Sequence, residues 1–234
     1  MSLPDVVSRA EWLAARRELL AEEKEMTRRR DALNAKRRRL PMVEIEKDYV
    51  FTGPGGQATL PDLFDGRRQL IVRHFMFDPS WEDGCPSCTA GADEISPGLL
   101  EHLRARDTRL VVVARAPLEK IERYKASRGW TFPWYSSYGS DFNYDFQVTL
   151  DPSVAAPEYN YRAVDAAGEQ PGQSCFLRDG ERVFHTYSSY ARGAEMTGGS
   201  YYYLDLTALG RQEKWEEPKG RAVDPRGARP DFSA

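Results

Sequence analysis

Two cysteines three positions apart, Cys85 and Cys88 in Gly84-Cys85-Pro86-Ser87-Cys88, are the residues best suited to chemistry in this chain. A C-x-x-C pair can exchange two thiols for one disulfide. A thiolate attacks a disulfide sulfur, a mixed disulfide forms, and the second thiol resolves it. That sequence of steps requires one thiol to ionise near neutral pH, which a helix N-terminus favours through its unpaired N–H groups and positive dipole end. Pro86 suits the first turn of such a helix, where an N–H is not needed. Cys85 is therefore expected to be the exposed nucleophile and Cys88, one turn in, the shielded resolving thiol. The third cysteine, Cys175, reads as a small apolar residue. Three cysteines do not form a disulfide framework. A structural zinc site needs four ligands, and His74, His102 and His185 are dispersed, so neither a metal nor a cofactor is expected.

The elements around the motif are those that could place it. Gln69–Phe77 (QLIVRHFMF) is a dense apolar run of strand length, and a helical stretch follows the dithiol to about Arg106. Arg109–Ala114 (RLVVVA) predicts a second buried strand and Leu118–Arg128 a second helix. Strand, helix, strand, helix is the pattern of a parallel βαβ core. Upstream, Val43–Phe51 carries a strand signal ending in the turn Gly53-Pro54-Gly55-Gly56. Downstream, residues 130–144 read as a structured loop rich in aromatics, and Leu204–Leu209 as a short helix. Ser174–Arg178, the turn Asp179-Gly180 and Arg182–Tyr187 predict a hairpin.

The first forty residues differ in kind. Ser8-Arg9-Ala10-Glu11 is a capping box, and no Gly or Pro interrupts the chain from there to Pro41. Trp12, Leu19, Met26, Leu33 and Leu40 recur every seven residues, but the offset half of a coiled-coil seam holds Glu22, Arg29 and Lys36. The narrow stripe is expected to lie against the rest of the chain or to pair with a second copy in a homodimer. Three segments follow: a helical arm at 1–41, an α/β domain at 42–210 and an extended or disordered tail at 211–234.

A net charge of -3 gives no field that would attract nucleic acid or an anionic membrane. The basic runs Arg28–Arg30 and Lys36–Arg39 have acids interleaved upstream and read as a solvated helix face. The N-terminus lacks a signal-peptide pattern and no apolar run approaches a membrane span, so a cytoplasmic location is expected.

Several stretches resemble one bacterial family. They include Leu40-Pro41-Met42-Val43-Glu44, Leu63-Phe64-Asp65-Gly66-Arg67, His74-Phe75-Met76-Phe77, Gly129-Trp130-Thr131-Phe132-Pro133-Trp134 and Val183-Phe184-His185-Thr186-Tyr187. Together with the dithiol they are similar to a thioredoxin-like family long described as a domain of unknown function. That family is often labelled a dithiol–disulfide oxidoreductase or isomerase. The resemblance implies a thioredoxin-like α/β fold with a central mixed sheet flanked by helices. It also implies Trp81 flanking the dithiol, with Asp83, Asp78 and His74 as further neighbours. Two departures stand out. Thr89-Ala90-Gly91 replaces the bulky aromatic pair usual after the second cysteine, which should open space there. In addition, counting back from Phe176 puts Gln173 where the superfamily keeps a cis-proline, so that Gln173 or Ser174 would face the thiols.

These readings converge on a thiol–disulfide oxidoreductase acting on a disulfide-containing protein or a small thiol or peroxide, recharged by a cellular thiol reductant. A thioredoxin-fold binding protein without turnover is the alternative, together with a specialised enzyme using Cys85 on a small molecule in a pocket beside Gly91. A peroxidatic P-x-x-x-T-x-x-C pattern is not met, since Glu82 takes the threonine place and Pro79 falls one position late.

Overall fold

The computed structural model describes residues 3–197 and 199–221, so residues 222–234 of the expected tail lie outside the described residues. The chain forms two compact units. Among the described residues, one is the domain Met42–Tyr203; in the other, residues 3–41 group with residues 204–221. Among the described residues no helix is long and apolar enough to cross a membrane.

In the second unit, α1 (Arg9–Arg37) begins at the capping box read from the sequence. Glu11 N donates to Ser8 Oγ at 3.3 Å, and Ser8 N donates to the Glu11 carboxylate at 2.9 Å. The helix buries none of its residues, and Trp12, Leu19, Met26 and Leu33 of the heptad stripe are all exposed. Residues 205–221 are built mostly of turns, with the Glu216 carboxylate accepting from the Arg211 and Glu213 amides, both at 2.9 Å. The short helix expected at Leu204–Leu209 instead runs earlier, at Gly199–Leu204.

The domain is organised on one eight-stranded sheet. Its strands are β1 (Val43–Glu44), β2 (Val50–Gly53), β3 (Gly56–Thr59), β4 (Gln69–His74), β5 (Thr108–Ala114) and β6 (Trp134–Ser136), completed by the hairpin β11 (Gly172–Asp179) and β12 (Arg182–Tyr190). Between them run the short strands β7 (Thr149–Leu150), β8 (Glu158–Tyr159), β9 (Arg162–Ala163) and β10 (Gly168–Glu169), paired β7 with β10 and β8 with β9. The sheet order is β1-β12-β11-β4-β5-β6-β2-β3. β4, β5 and β6 are parallel, and β11 runs antiparallel to β4 with Gly172 opposite His74 and Gln173 opposite Arg73. The helices are α2 (Pro86–Asp93), α3 (Pro97–Arg104), α4 (Leu118–Ser127) and α5 (Phe142–Asp145), with α6 (Gly199–Leu204) near the domain's end. A parallel β4-α2-α3-β5-α4-β6 unit, an antiparallel hairpin at its side and a dithiol at the β4–α2 junction make a thioredoxin-like fold.

Strand alternation sorts the core into two layers. Val72, Val111, Val113 and Phe176 point to one face with Phe51, Leu63, Phe142 and Phe146. Val112 and Ala114 point to the other, where Cys88, Ala92, Ile121 and Trp134 pack.

Three further elements differ from the sequence expectation. The strand expected at Val43–Phe51 divides into β1 and β2, which pair with different partners. The helix expected to reach Arg106 breaks after Asp93, because Ser96 caps a new helix by accepting from Leu99 N at 3.1 Å and Pro97 takes its first position. The aromatic loop at 130–144 contains β6 and α5; Trp134 and Phe142 are fully buried, so packing orders a stretch with no visible period.

Candidate functional site

The dithiol sits where β4 gives way to α2, and the loop between them is pinned at several points. Asp78 Oδ1 accepts from Ser80 N at 2.8 Å, while Arg115 Nη2 donates to Asp78 Oδ2 at 2.7 Å. Lys120 Nζ donates to the carbonyls of Pro79 at 3.1 Å and Trp81 at 2.8 Å. Gly84 must be a glycine: a Cβ there would lie 2.5 Å from Phe75 Cε1. Cys85 is the N-cap, its amide donating to Met76 O at 3.0 Å, and Pro86 follows at the first helical position. The Cys85 carbonyl accepts from Thr89 N at 2.9 Å and Thr89 Oγ1 at 3.0 Å, and Thr89 Oγ1 is 2.8 Å from Tyr124 Oη. The first turn of α2 is thereby tied to α4.

The two thiols differ in exposure. Cys85 is half-buried, whereas Cys88 is buried beside Phe75, Ala92 and Ile95. Hydrogen bonding to Cys85, burial and the Cys85 charge together push the Cys88 thiol well above its ordinary range. A backbone hydrogen bond from Met76 and the Arg73 charge act in the other direction. Cys88, with Cys85 beside it, thus holds its proton more tightly than an ordinary cysteine.

Arg73, which the sequence reading passed over, is the charged residue at this site. Its Nη1 donates to Gly91 O at 2.8 Å, one of the last α2 carbonyls that no helical N–H can reach. A Cβ on Gly91 would lie 2.0 Å from Arg73 Nη2. The space that Gly91 leaves beside the dithiol is therefore filled by the guanidinium and is not an open pocket. A single arginine inside the apolar run of β4, together with a glycine three residues after Cys88, was the available signal.

The other expected neighbours distribute unevenly. Pro86 and Ser87 are exposed within the motif, and Trp81 and Asp83 are exposed in the approach loop. Asp78 turns to Arg115, and no carboxylate is among the groups acting on Cys88. β11 begins at Gly172, so Pro171 and not Gln173 directly precedes the strand; counting back from Phe176 placed the strand start too late. Gln173 faces the α2 side opposite Arg73 and accepts from Thr197 Oγ1 at 3.3 Å. Ser174 does not face the thiols, because alternation turns it to the opposite face, where its Oγ lies 2.9 Å from His74 Nε2. His74 goes with it. Tyr159 is a further neighbour missed in the sequence: its hydroxyl donates to Pro171 O at 2.7 Å, accepts from Ala191 N at 2.9 Å, and lies where a Cys88 thiolate would act on it.

Residues 1–225 match a family described as bacterial protein of unknown function (DUF899). The chain belongs to that family. No curated protein matches this DUF899 member. Among solved structures it is similar to peroxiredoxin Q from Xanthomonas campestris, at 18% identity and TM-score 0.44, covering 63% of this chain and 84% of that one. It is also similar to peroxidoxin BcpB from Mycobacterium tuberculosis, at 14% identity and TM-score 0.42 over 68% and 93% of the two chains. A candidate protein disulfide isomerase from Bacteroides thetaiotaomicron gives 23% identity and TM-score 0.40 over 64% and 82%. The fold assignment for the DUF899 chain rests on its own strand order and dithiol placement, not on these superpositions.

Proposed function

We propose that the chain is a thiol–disulfide oxidoreductase with Cys85 as nucleophile and Cys88 as resolving thiol. The observation that carries this reading is the unequal pair: a half-buried thiol at a helix N-terminus, hydrogen-bonded to a buried thiol whose proton is held more tightly. The Cys85 thiolate attacks one sulfur of a substrate disulfide, forming a mixed disulfide and releasing a substrate thiolate that takes up a proton. Cys88 then loses its proton and attacks the Cys85 sulfur. The second substrate thiolate leaves, and a Cys85–Cys88 disulfide remains. Two electrons pass from the dithiol to the substrate, and a cellular thiol reductant returns them. The substrate class is a disulfide-bearing protein or a small disulfide. A binding protein without turnover would not need its two thiols within hydrogen-bonding reach of each other, which favours the catalytic reading.

The test uses the full chain with glutathione disulfide as probe. Cys85→Ser is expected to reduce turnover to background, and Cys88→Ser to stop at a Cys85–glutathione adduct visible by mass. Undiminished turnover in Cys85→Ser would overturn the assignment.

A further inference from the structure

The resolving step sets a problem that the site must solve. Cys88 must lose a proton while buried, and a thiolate in an apolar core is opposed by desolvation. Once Cys85 is bound in a mixed disulfide it carries no charge and accepts no thiol proton. Two of the three influences that keep Cys88 protonated then vanish, and burial alone remains. The groups acting in the opposite direction are the Met76 backbone and Arg73.

The placement of Arg73 is unusual for a strand residue. Gly91 lies three residues after Cys88, so both occupy one face of α2, the face turned to the sheet. Arg73 rises from β4 onto that face and its guanidinium rests on the Gly91 backbone, where any side chain would displace it. The contact also sets a cation at the negative end of a short helix. The charged and titratable groups facing this pair can be named. Cys85 caps α2 at its N-terminus; Glu94, at the α2 C-cap, attracts Arg73 while its carboxylate accepts from the Gly199 and Ser200 amides. From β8, Tyr159 stays neutral, its hydroxyl held above the usual range by burial.

We propose that Arg73, seated on the backbone of Gly91, is the positioning residue that stabilises the Cys88 thiolate during resolution of the mixed disulfide. The role rests on the oxidoreductase reading and concerns its second step only. Arg73 touches no substrate atom. It supplies positive charge in a water-poor site, where a fixed cation counts for more than in solvent. Proton removal from Cys88 then needs no nearby carboxylate, and the departing proton passes to solvent as the thiolate forms.

Two rates separate the proposal from a structural role. In a Cys88→Ser background, adduct formation from glutathione disulfide measures attack by Cys85, and Arg73→Met is expected to leave it little changed. With Cys88 present, Arg73→Met is expected to slow decay of the Cys85–glutathione adduct about tenfold and to move its pH midpoint up by about one unit. Arg73→Lys, which keeps a charge, is expected to recover part of the rate. Gly91→Ala retains Arg73 but pushes the guanidinium away, so it is expected to give the same slow, alkaline-shifted decay. Wild-type decay and pH midpoint in folded Arg73→Met would overturn the proposal. Should Arg73→Met fail to fold, the same result in Gly91→Ala decides against it. If the wild type resolves no glutathione adduct at any pH while Cys88→Ser forms one, the proposal fails but the nucleophile assignment stands. If no adduct forms in either protein, the oxidoreductase reading itself fails.

Discussion

The two faces of the central sheet receive polar residues from the same strands and treat them in opposite ways. On the α2 face, β4 delivers Arg73 against a helix carrying thiols, one of which is half-buried and the other buried. On the other face, the next residues of β4 and β11 begin a chain of hydrogen bonds. His74 Nε2 is 2.9 Å from Ser174 Oγ, which is 2.8 Å from Ser188 Oγ, which is 2.8 Å from His185 Nε2. The rings of Phe142 and Phe146 enclose it, at 5.6 and 6.2 Å from the His74 ring. Burial and the nearby His185 push His74 down to about 3. One face sets a cation against the helix that carries a buried thiol; on the other, a chain of hydrogen bonds runs from His74 to His185 and leaves His74 Nδ1 buried without a hydrogen-bond partner. Polar residue type alone therefore does not mark a reactive site, since the histidines and serines here belong to the core.

The sharpest way to test this contrast is pH. Between about 6.5 and about 3 the unfolded chain takes up a proton at His74 that the folded chain refuses. Stability from this group is present above pH 6.5 and is lost as pH falls, by about 1.4 kcal/mol per unit and on the order of 4–5 kcal/mol across the window. His74→Gln is expected to remove that slope, measured by urea unfolding at several pH values; a slope equal to wild type would break the comparison. Ser188→Ala is the next largest change, because it leaves both Ser174 and His185 short of a partner. A loss of about 2–3 kcal/mol is expected, with the rate of Cys85 alkylation unchanged. Smaller still is Thr89→Val on the reactive face, which removes the hydroxyl between Cys85 O and Tyr124. About 1 kcal/mol of stability is expected to go, this time with a measurable change in Cys85 alkylation.

Much of the frame was legible because it rests on local signals. The apolar runs of β4 and β5, the capping box of α1 and the hairpin turn at Gly180, with φ 60, all specify their structure within a few residues. The dithiol was legible for the same reason: spacing and Pro86 announce a helix start. What could not be read depends on partners distant in sequence. Whether Ser174 or Gln173 faces the thiols is a matter of strand register, and an error of one residue reverses the answer. Arg73 and Gly91 are 18 residues apart and acquire meaning only when β4 and α2 are brought together. The division of residues 43–51 between two strands is likewise decided by their pairing with β12 and β3.

Helix α1 has a consequence for how the molecule comes apart. Its 29 residues bury nothing, so its order depends on backbone hydrogen bonds, the Ser8–Glu11 cap and ion pairs such as Arg16–Glu23 and Arg29–Glu25. A helix with no buried residue has little apolar packing to make its turns rise and fall together. On heating it frays gradually from its ends, and added salt shortens it by screening the pairs, whereas the sheet domain gives way in one step. A melt followed by helix content should therefore show a long sloping approach before the sharp transition.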